Sequence, residues 1–422
     1  MARIVVYSMA YRGDVFPYVP IASELARRGH EVTYVVPREF HHLFEAEPFR
    51  CVHSGSDFSP IVLDEYGKYV ARWGKKLGGG MLGRLYFTKL TVPHLDDMFA
   101  AIDAEMADAD LLVSHPAAAV IGAMSCEKRN LAWVCGDLFP MLVPTATSPP
   151  MGMANLGKLS NRASWRIARS RLAGWMFSRR EIVAFRTKIG LSTPKRWSLI
   201  DARLSPHLNL ALVSPHYVDV ASDWPENYHP VGFTLWNGPN QGRLADDVLK
   251  FLADGTPPVV VTLGTSAASA NPLLFERIAR QLDDHGVRGI FLTSNATVTD
   301  RVRRKVGAQH GVWQFVPLAP LLQHARAVVH SGAHGTNALA LAAGLPSVIV
   351  PCLFDQAWHG RRQQQLGTGI WVKRMRHLPW AIRQLLVETT LAEKASALGE
   401  RLRADNGTGT ACDEIERLLA ER

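Results

Sequence analysis

From residue 3 onward the chain alternates short apolar runs with amphipathic stretches. RIVVYSM (3–9) reads as a strand. A Gly-Asp turn follows, then a helix with Val15, Val19, Ala22 and Ala26 on one face, closed at Gly29. Pro17 and Pro20 fit only in or near its first turn, where a missing N–H costs little. EVTYVVP (31–37), LLVSH (111–115) and LAWVC (131–135) read as further strands, with a helix from Ala117 to Glu127 between the last two. The second half repeats the plan through PVVVTLG (258–264), RGIFLTS (288–294), GVWQFVP (311–317), ARAVVH (325–330) and PSVIVP (346–351). After about Leu378 only helices are expected, including a polar amphipathic one from Thr410 to Arg422. Repeated strand-helix units predict an α/β fold with parallel sheets and right-handed crossovers.

A chain of 422 residues is too long for one ordinary domain. The Pro-, Gly- and Asn-dense stretch DWPENYHPVGFTLWNGPNQG (223–242) reads as a linker. The expected division is a first domain over 1–222, the linker, a second domain over 243–390, and terminal helices over 391–422 that could cross back to the first domain. Hydrophobic residues make up 47% and charged residues 20%, the composition of a soluble globular protein. No run of about 18 apolar residues occurs, so no transmembrane helix is expected. The apolar stretch at the start is too short for a signal peptide. Cys51, Cys126, Cys135, Cys352 and Cys412 are odd in number, far apart and without a CxxC, which predicts buried thiols in a reduced, cytoplasmic protein.

Charge changes this picture at one place. The segment from Lys158 to Arg203 holds twelve Lys or Arg against two acids, Glu181 and Asp201, so its net +10 accounts for the whole chain's +9. Trp165, Ile167, Leu172, Trp175, Met176 and Phe177 are interspersed, as in a basic amphipathic surface helix. The segment is read either as a solvated face over the domain core or as a peripheral docking surface for anionic lipid. No nucleic-acid motif accompanies the charge.

Ligands of open parallel sheets bind beyond the carboxyl ends of the strands. Thr265 follows PVVVTLG, His330 ends ARAVVH, and Asp355 and Gln356 follow PSVIVPCLF, so all four belong to one rim of one sheet. Gly332 and Gly335 permit a tight backbone approach, and Thr336 opens a helix capped by Gly344. Free N–H groups at that helix start suit a phosphate, and His330 adds a donor. Asp355 and Gln356 together offer donors and acceptors to a polyhydroxyl group. Taken singly, these residues read as an ordinary turn, a core histidine and a helix N-cap. Their conjunction on adjacent strand ends points to a nucleotide sugar. In the first half, Asp14 stands at the end of the first strand, where a group able to take a proton from a hydroxyl is needed. On sequence alone it reads equally as an N-cap ahead of Pro17.

HSGAHGT at 330–336, followed by DQ at 355–356 and LGTG, resembles the donor signature of GT-B glycosyltransferases of the UDP-glycosyltransferase superfamily. RGDVFP resembles the bacterial and sterol-type members. WPENYHPVGF and FVPLAPLLQHARAVVHSG resemble the rhamnolipid-type rhamnosyltransferase and macrolide-type subgroup. The resemblance implies two Rossmann-like domains whose parallel sheets face each other across a cleft. It implies that Thr265, His330, Gly332, Gly335 and Thr336 hold a diphosphate, that Asp355 and Gln356 hold the sugar, and that Phe315 and Val316 clamp the nucleobase. Asp14 matches the general base. His115 falls near the place of that base's acidic partner, and with Asp137 it is an acceptor-site candidate. The sequence departs from the family at His334, often a small residue, at His359, often Asn, and at Leu318, often Gln or His.

These readings predict an inverting transferase. It moves a sugar from a UDP- or dTDP-linked donor to a lipophilic acceptor: a lipid, glycolipid, sterol or aromatic natural product. The acceptor is expected over the first domain, between the 55–95 and 137–203 regions. No metal or other cofactor is required. The DAD at Asp108–Asp110 precedes its strand, on the wrong rim for a metal-dependent transferase. No GxGxxG opens either half, which disfavours a nicotinamide enzyme. The alternatives are a nucleotide-sugar epimerase or hydrolase of the same fold, or a non-catalytic nucleotide-sugar or lipid-binding protein.

Overall fold

The structure, a computed structural model, describes residues 1–422 other than 10, 58–87, 89–90, 141, 151–152, 154, 175–177, 195–196, 265–271, 294–295 and 352–354, and omits the side chains of 172, 240 and 241. Two compact units emerge, one of 1–234 with 406–422, the other of 235–405. Each is built on a parallel sheet.

The first sheet contains β1 (Arg3–Tyr7), β2 (Glu31–Val36), β3 (Arg50–His53), β4 (Leu111–Ser114), β5 (Ala132–Asp137), β6 (Leu208–Ala211) and β7 (Tyr228–Pro230), in the order β3-β2-β1-β4-β5-β6-β7. Its central strands are apolar throughout because helices cover both faces. Val5, for example, aligns with Thr33 on one side and Leu112 on the other. The second sheet contains β8 (Val259–Thr262), β9 (Gly289–Leu292), β10 (Gly311–Trp313), β11 (Ala327–His330), β12 (Ser347–Ile349) and β13 (Gly369–Trp371), in the order β10-β9-β8-β11-β12-β13. Its two faces feed separate cores. Val259, Val261, Phe291, Val329 and Val348 pack on one side. Val260, Ile290 and Val328 pack on the other. In both sheets the strand order reverses beside the first strand, between β1 and β4 and between β8 and β11. Such a reversal opens a crevice at the carboxyl ends.

The stretch 223–242, expected to be linker throughout, divides. Tyr228–Pro230 completes the first sheet, with Asn209 N–H donating to Asn227 O at 2.7 Å and Val231 N–H to Ala211 O at 3.0 Å. The exposed edge of β6 requires a partner, and an extended Pro-containing segment serves there because an edge strand needs few N–H donors. The chain passes between the units after Thr234 and returns after Asp405. The terminal helices also divide. Thr389–Ala404 stays in the second unit, against the helix His334–Ala342. Gly407–Ala420 packs in the first unit, on Val19–Arg27. There Arg28 reaches Asp413 at 2.6 Å and Glu416 at 2.7 Å, and His30 Nε2 lies 2.9 Å from Glu416. Cys51, Cys126, Cys135 and Cys412 are free, and Cys352 lies outside the described residues.

Gly399 sets how closely the helix Thr389–Ala404 approaches the helix that opens the second unit's rim. A Cβ there would fall 2.7 Å from Gly344 Cα and 2.8 Å from Leu341 O. Alanine gains at most about 1 kcal/mol in helix propensity. The obstructing atoms are backbone, so Gly399→Ala is expected to destabilise the second unit by roughly 1–3 kcal/mol. Thermal unfolding checks this, and an unchanged or raised melting temperature contradicts it.

Candidate functional site

β11 ends on His330, a wholly buried imidazole. Its Nδ1 accepts the backbone N–H of Gly332 at 3.0 Å. Nδ1 is therefore the unprotonated nitrogen and Nε2 carries the hydrogen. That Nε2 is buried and has no partner among the described residues. Burial holds the ring neutral, with its pKa pushed down to about 3. An unmade buried donor costs about 1–3 kcal/mol, so this group is poised to donate to something that arrives.

What lies beside it is a helix start. Gly332 takes φ +89°, and a Cβ there would meet Gln356 O at 2.8 Å, so only glycine lets the loop fold against the next strand end. The N-cap of His334–Ala342, Ala333, has no capping side chain of its own, and the first completed bond of the helix runs from Asn337 N–H to Ala333 O at 2.8 Å. Ahead of Gly335 a Cβ would meet nothing within 4 Å. Gly335 and Thr336 are half-buried, at the rim of open space. N–H groups of a first turn with room before them suit an anion.

Asp355 precedes the helix Gln356–Leu366 and closes the site from β12. Burial pushes its carboxyl up to about 7, against the pull of the backbone N–H groups of Asp355, His334 and Gln356. Behind it runs a directed polar chain. Gln363 Nε2 donates to Asn337 Oδ1 at 2.7 Å. Asn337 Nδ2 faces His359 Nδ1 at 3.3 Å. The amide orientation makes that nitrogen the acceptor, so His359 Nε2 carries the hydrogen, 3.7 Å from Asp355 Oδ2. The rings of His334 and His359 lie 5.7 Å apart, tilted by 56°, and burial, followed by the proximity of the His334 and His330 imidazoles, holds His359 well below the usual imidazole range. By sequence His334 and His359 stand only as departures from a family, Asn337 counts only for a backbone N–H that is in fact bonded to Ala333 O, and Gln363 carries no mark. The signal was available: Asp355, His359 and Gln363 recur every four residues, a polar stripe on a helix whose face is buried.

Of the expected base-clamping pair, Phe315 is 58% exposed, whereas Val316 packs into the core and leaves only its backbone to contribute. Thr265 lies outside the described residues.

In the first unit, Asp14 sits in the helical turn Arg12–Val15 just after β1. Its Oδ2 accepts the N–H of Tyr11 at 3.2 Å. The turn is anchored from below, where Tyr34 OH donates to Val15 O at 2.7 Å and meets Ser8 Oγ at 2.6 Å. His115 follows β4 and caps the helix Pro116–Arg129, Nδ1 accepting from Ala117 N–H at 3.1 Å. Nε2 therefore bears the hydrogen, and it lies 3.5 Å from Asp14 Oδ1. The ring of Tyr18, unmarked in the sequence reading, meets His115 edge-on at 5.9 Å, and its hydroxyl donates to Gly136 O.

Asp137 does not join this pair. It is buried at the end of β5, where Tyr228 OH donates to Oδ2 at 2.8 Å and burial raises the carboxyl to about 7. An acceptor-site candidate by sequence, it fastens the edge strand β7 instead. Of the expected acceptor region, 58–87 and 89–90 lie outside the described residues. Asp110 accepts from Arg3 N–H at 2.7 Å and Asp108 lies 3.7 Å from the Arg3 guanidinium, at the amino end of β1 and thus opposite the Asp14 rim. Among the described residues no group of three or more His, Cys, Asp or Glu is arranged to hold a metal.

Residues 290–421 match the family model described as erythromycin biosynthesis protein CIII-like, C-terminal domain. The chain is 28% identical over 448 residues to O-mycaminosyltylonolide 6-deoxyallosyltransferase of Streptomyces fradiae, covering 100% of this chain and 98% of that protein. In structure it resembles CalG4, the calicheamicin glycosyltransferase, with a TM-score of 0.71 and 19% identity over 100% of this chain and 99% of the other. It also resembles the glycosyltransferase VinC in complex with dTDP, with a TM-score of 0.70 and 18% identity over 100% of both chains. At such identities the two structures speak for the fold.

The depressed imidazole of His330 has a measurable consequence. Unfolded, it takes up a proton near its ordinary 6.5, whereas folded it stays neutral to about 3. The unfolded state therefore binds the extra proton between these values, and stability falls as pH drops through that window. Asp137 and Asp355, raised to about 7, act in the opposite direction, and cancel when wild type is compared with His330→Asn. Between pH 7 and pH 5 wild type is expected to lose roughly 2 kcal/mol more than the variant in urea unfolding. Equal slopes contradict this.

Proposed function

We propose that this chain, a GT-B glycosyltransferase, moves one sugar with inversion from a UDP- or dTDP-linked donor to a hydroxyl of a lipophilic acceptor. The observation that carries the reading is the buried Nε2–H of His330, without a partner among the described residues, beside the helix start at 334. That pair of features suits a diphosphate, whose charge grows as the glycosidic bond breaks. Donors aimed at developing charge in a water-poor site stabilise the transition state more than the ground state. VinC, solved with dTDP, supports a thymidine diphosphate as the donor's nucleotide, with a uridine diphosphate as the alternative.

In this reading His330, Gly332, Gly335, Thr336 and Thr265 hold the diphosphate. Asp355 and Gln356 bind sugar hydroxyls, and Phe315 stacks on the nucleobase with the Val316 backbone beside it. Asp14 is the base. The acceptor oxygen bonds to the anomeric carbon on the face opposite the diphosphate. The bond from that carbon to the diphosphate oxygen breaks, its electron pair leaving with the phosphate. The acceptor's proton passes to Asp14. A carboxylate is a weak base for an alcohol, so this transfer comes late, as the diphosphate departs. His115 orients Asp14 through its Nε2–H. Helix N–H groups and imidazole meet the diphosphate's charge, and the reading needs no metal. A cytoplasmic site of action and a peripheral contact with anionic membrane through the segment 158–203 belong to the same reading. The acceptor is of the hydrophobic natural-product, sterol or glycolipid class.

Asp14→Asn keeps the shape and removes the base. Its kcat/KM for transfer is expected to fall about 10²–10⁴-fold, while dTDP and UDP raise its melting temperature as they do that of wild type. Turnover by mass spectrometry and thermal shift read the two halves separately. Near-wild-type turnover removes Asp14 as base, and a wild type stabilised by NAD but by neither diphosphate removes the donor reading.

A further inference from the structure

The basic segment carries a surface whose geometry the sequence did not reveal. The helix Lys158–Ala168 is pinned by its inner face: Asn161 Nδ2 donates to Ala146 O and Trp165 Nε1 to Ser148 O, each at 2.9 Å. Trp165, one of the apolar residues interspersed among the cations, is 4% exposed. With that face fixed, Leu159, Ala163 and Ile167 recur every four residues on the outside, and Lys158, Arg162 and Arg166 run beside them in the same outer arc.

Leu159 is 81% exposed, Ile167 59%, Leu156 77% and Met153 44%. Four of the twelve large exposed hydrophobics among the described residues thus fall within fifteen residues of chain. Scattered apolar side chains on a surface need no explanation, but a cluster marks a contact. No Asp or Glu occurs between Leu138 and Arg180. Lys158 and Arg166 have no acidic partner among the described residues, whereas Arg169, Arg186 and Lys188 farther along are tied to Asp201, Glu127 and Asp96. Arg162 lies near enough to Asp223 to help hold its carboxyl down, so Lys158 and Arg166 supply the unneutralised charge beside the apolar ridge.

We propose that this outer face, the ridge Leu156, Leu159 and Ile167 with its flank Lys158, Arg162 and Arg166, is a docking surface for an anionic phospholipid bilayer. The helix lies in the interface plane. Its aliphatic ridge sinks among the acyl chains, and its cations meet the headgroup phosphates. The ridge is aliphatic, so it lacks the aromatic platforms on which single-stranded nucleic acid stacks. A second copy of the chain would bring a like-charged flank. This deepens the membrane part of the proposed function and rests on that reading. It brings the first unit to the phase in which a lipophilic acceptor is dissolved.

Flotation with vesicles of equal parts phosphatidylcholine and phosphatidylglycerol tests it, against phosphatidylcholine alone. Wild type is expected to float with the anionic vesicles, to stay behind with the neutral ones, and to be released by salt. Replacing Lys158, Arg162 and Arg166 together by Ser is expected to weaken partitioning on the order of a hundredfold. Leu159→Ser with Ile167→Ser is expected to weaken it at least about tenfold. Both variants should retain the wild-type melting temperature and its shift with dTDP, which shows them folded and tests the donor site independently. Wild type remaining with the aqueous phase in anionic vesicles, or folded variants floating as wild type does, overturns the docking surface and leaves the transfer reading standing.

Discussion

The backbone N–H of Gly332 donates to Nδ1 of His330, and that bond settles which nitrogen of a buried ring bears the hydrogen. With Nδ1 occupied, Nε2–H is the group presented at the rim. With the ring neutral by burial, it donates without adding a charge that the interior would have to stabilise. Everything around it follows from the same few residues. The left-handed turn at Gly332 allows the donation, the helix start at His334 comes immediately after it, and Asp355 arrives from the neighbouring strand β12.

The first unit uses the same device. His115 also ends a strand that neighbours the first strand of its sheet, and its Nδ1 also accepts a backbone N–H from two residues on. There Nε2–H meets a carboxylate of the same unit, Asp14. The two strand-end histidines thus share a tautomer and differ in what their Nε2–H addresses. One is directed at a protein group and orients it, and the other has no partner among the described residues. This division suits a reaction that needs a base on one reactant and a charge acceptor for the other's leaving group.

Much of this was legible in the residue pattern because parallel strands buried on both faces are apolar throughout, and the side chains that end them are the ones facing the ligand rim. Hence β1, β4, β8, β11 and β12 and the placement of Asp14, His330 and Asp355 could be read directly. Three kinds of information could not. Edge pairing is invisible in composition, so Tyr228–Pro230 passed for linker although it completes a sheet. The direction a helix faces is set by tertiary anchors, so residue types leave Trp165 open between surface and core, and only its bond to Ser148 O shows that it is held inward. A strand-end carboxylate can serve packing as well as a ligand, and only the hydroxyl of Tyr228, distant in sequence, shows that Asp137 does the former. The polar stripe of Asp355, His359 and Gln363 was readable and went unread, because polar residues on a helix suggest solvent until the face proves buried.

Nitrogen-15 NMR of the His330 imidazole, assigned by comparison with His330→Asn and followed with and without dTDP, tests the central claim most directly. The account predicts a neutral ring protonated on Nε2 throughout the physiological pH range, whose Nε2–H resonance moves downfield when dTDP saturates the protein. A ring protonated on Nδ1, or an Nε2–H resonance indifferent to saturating dTDP, would contradict it.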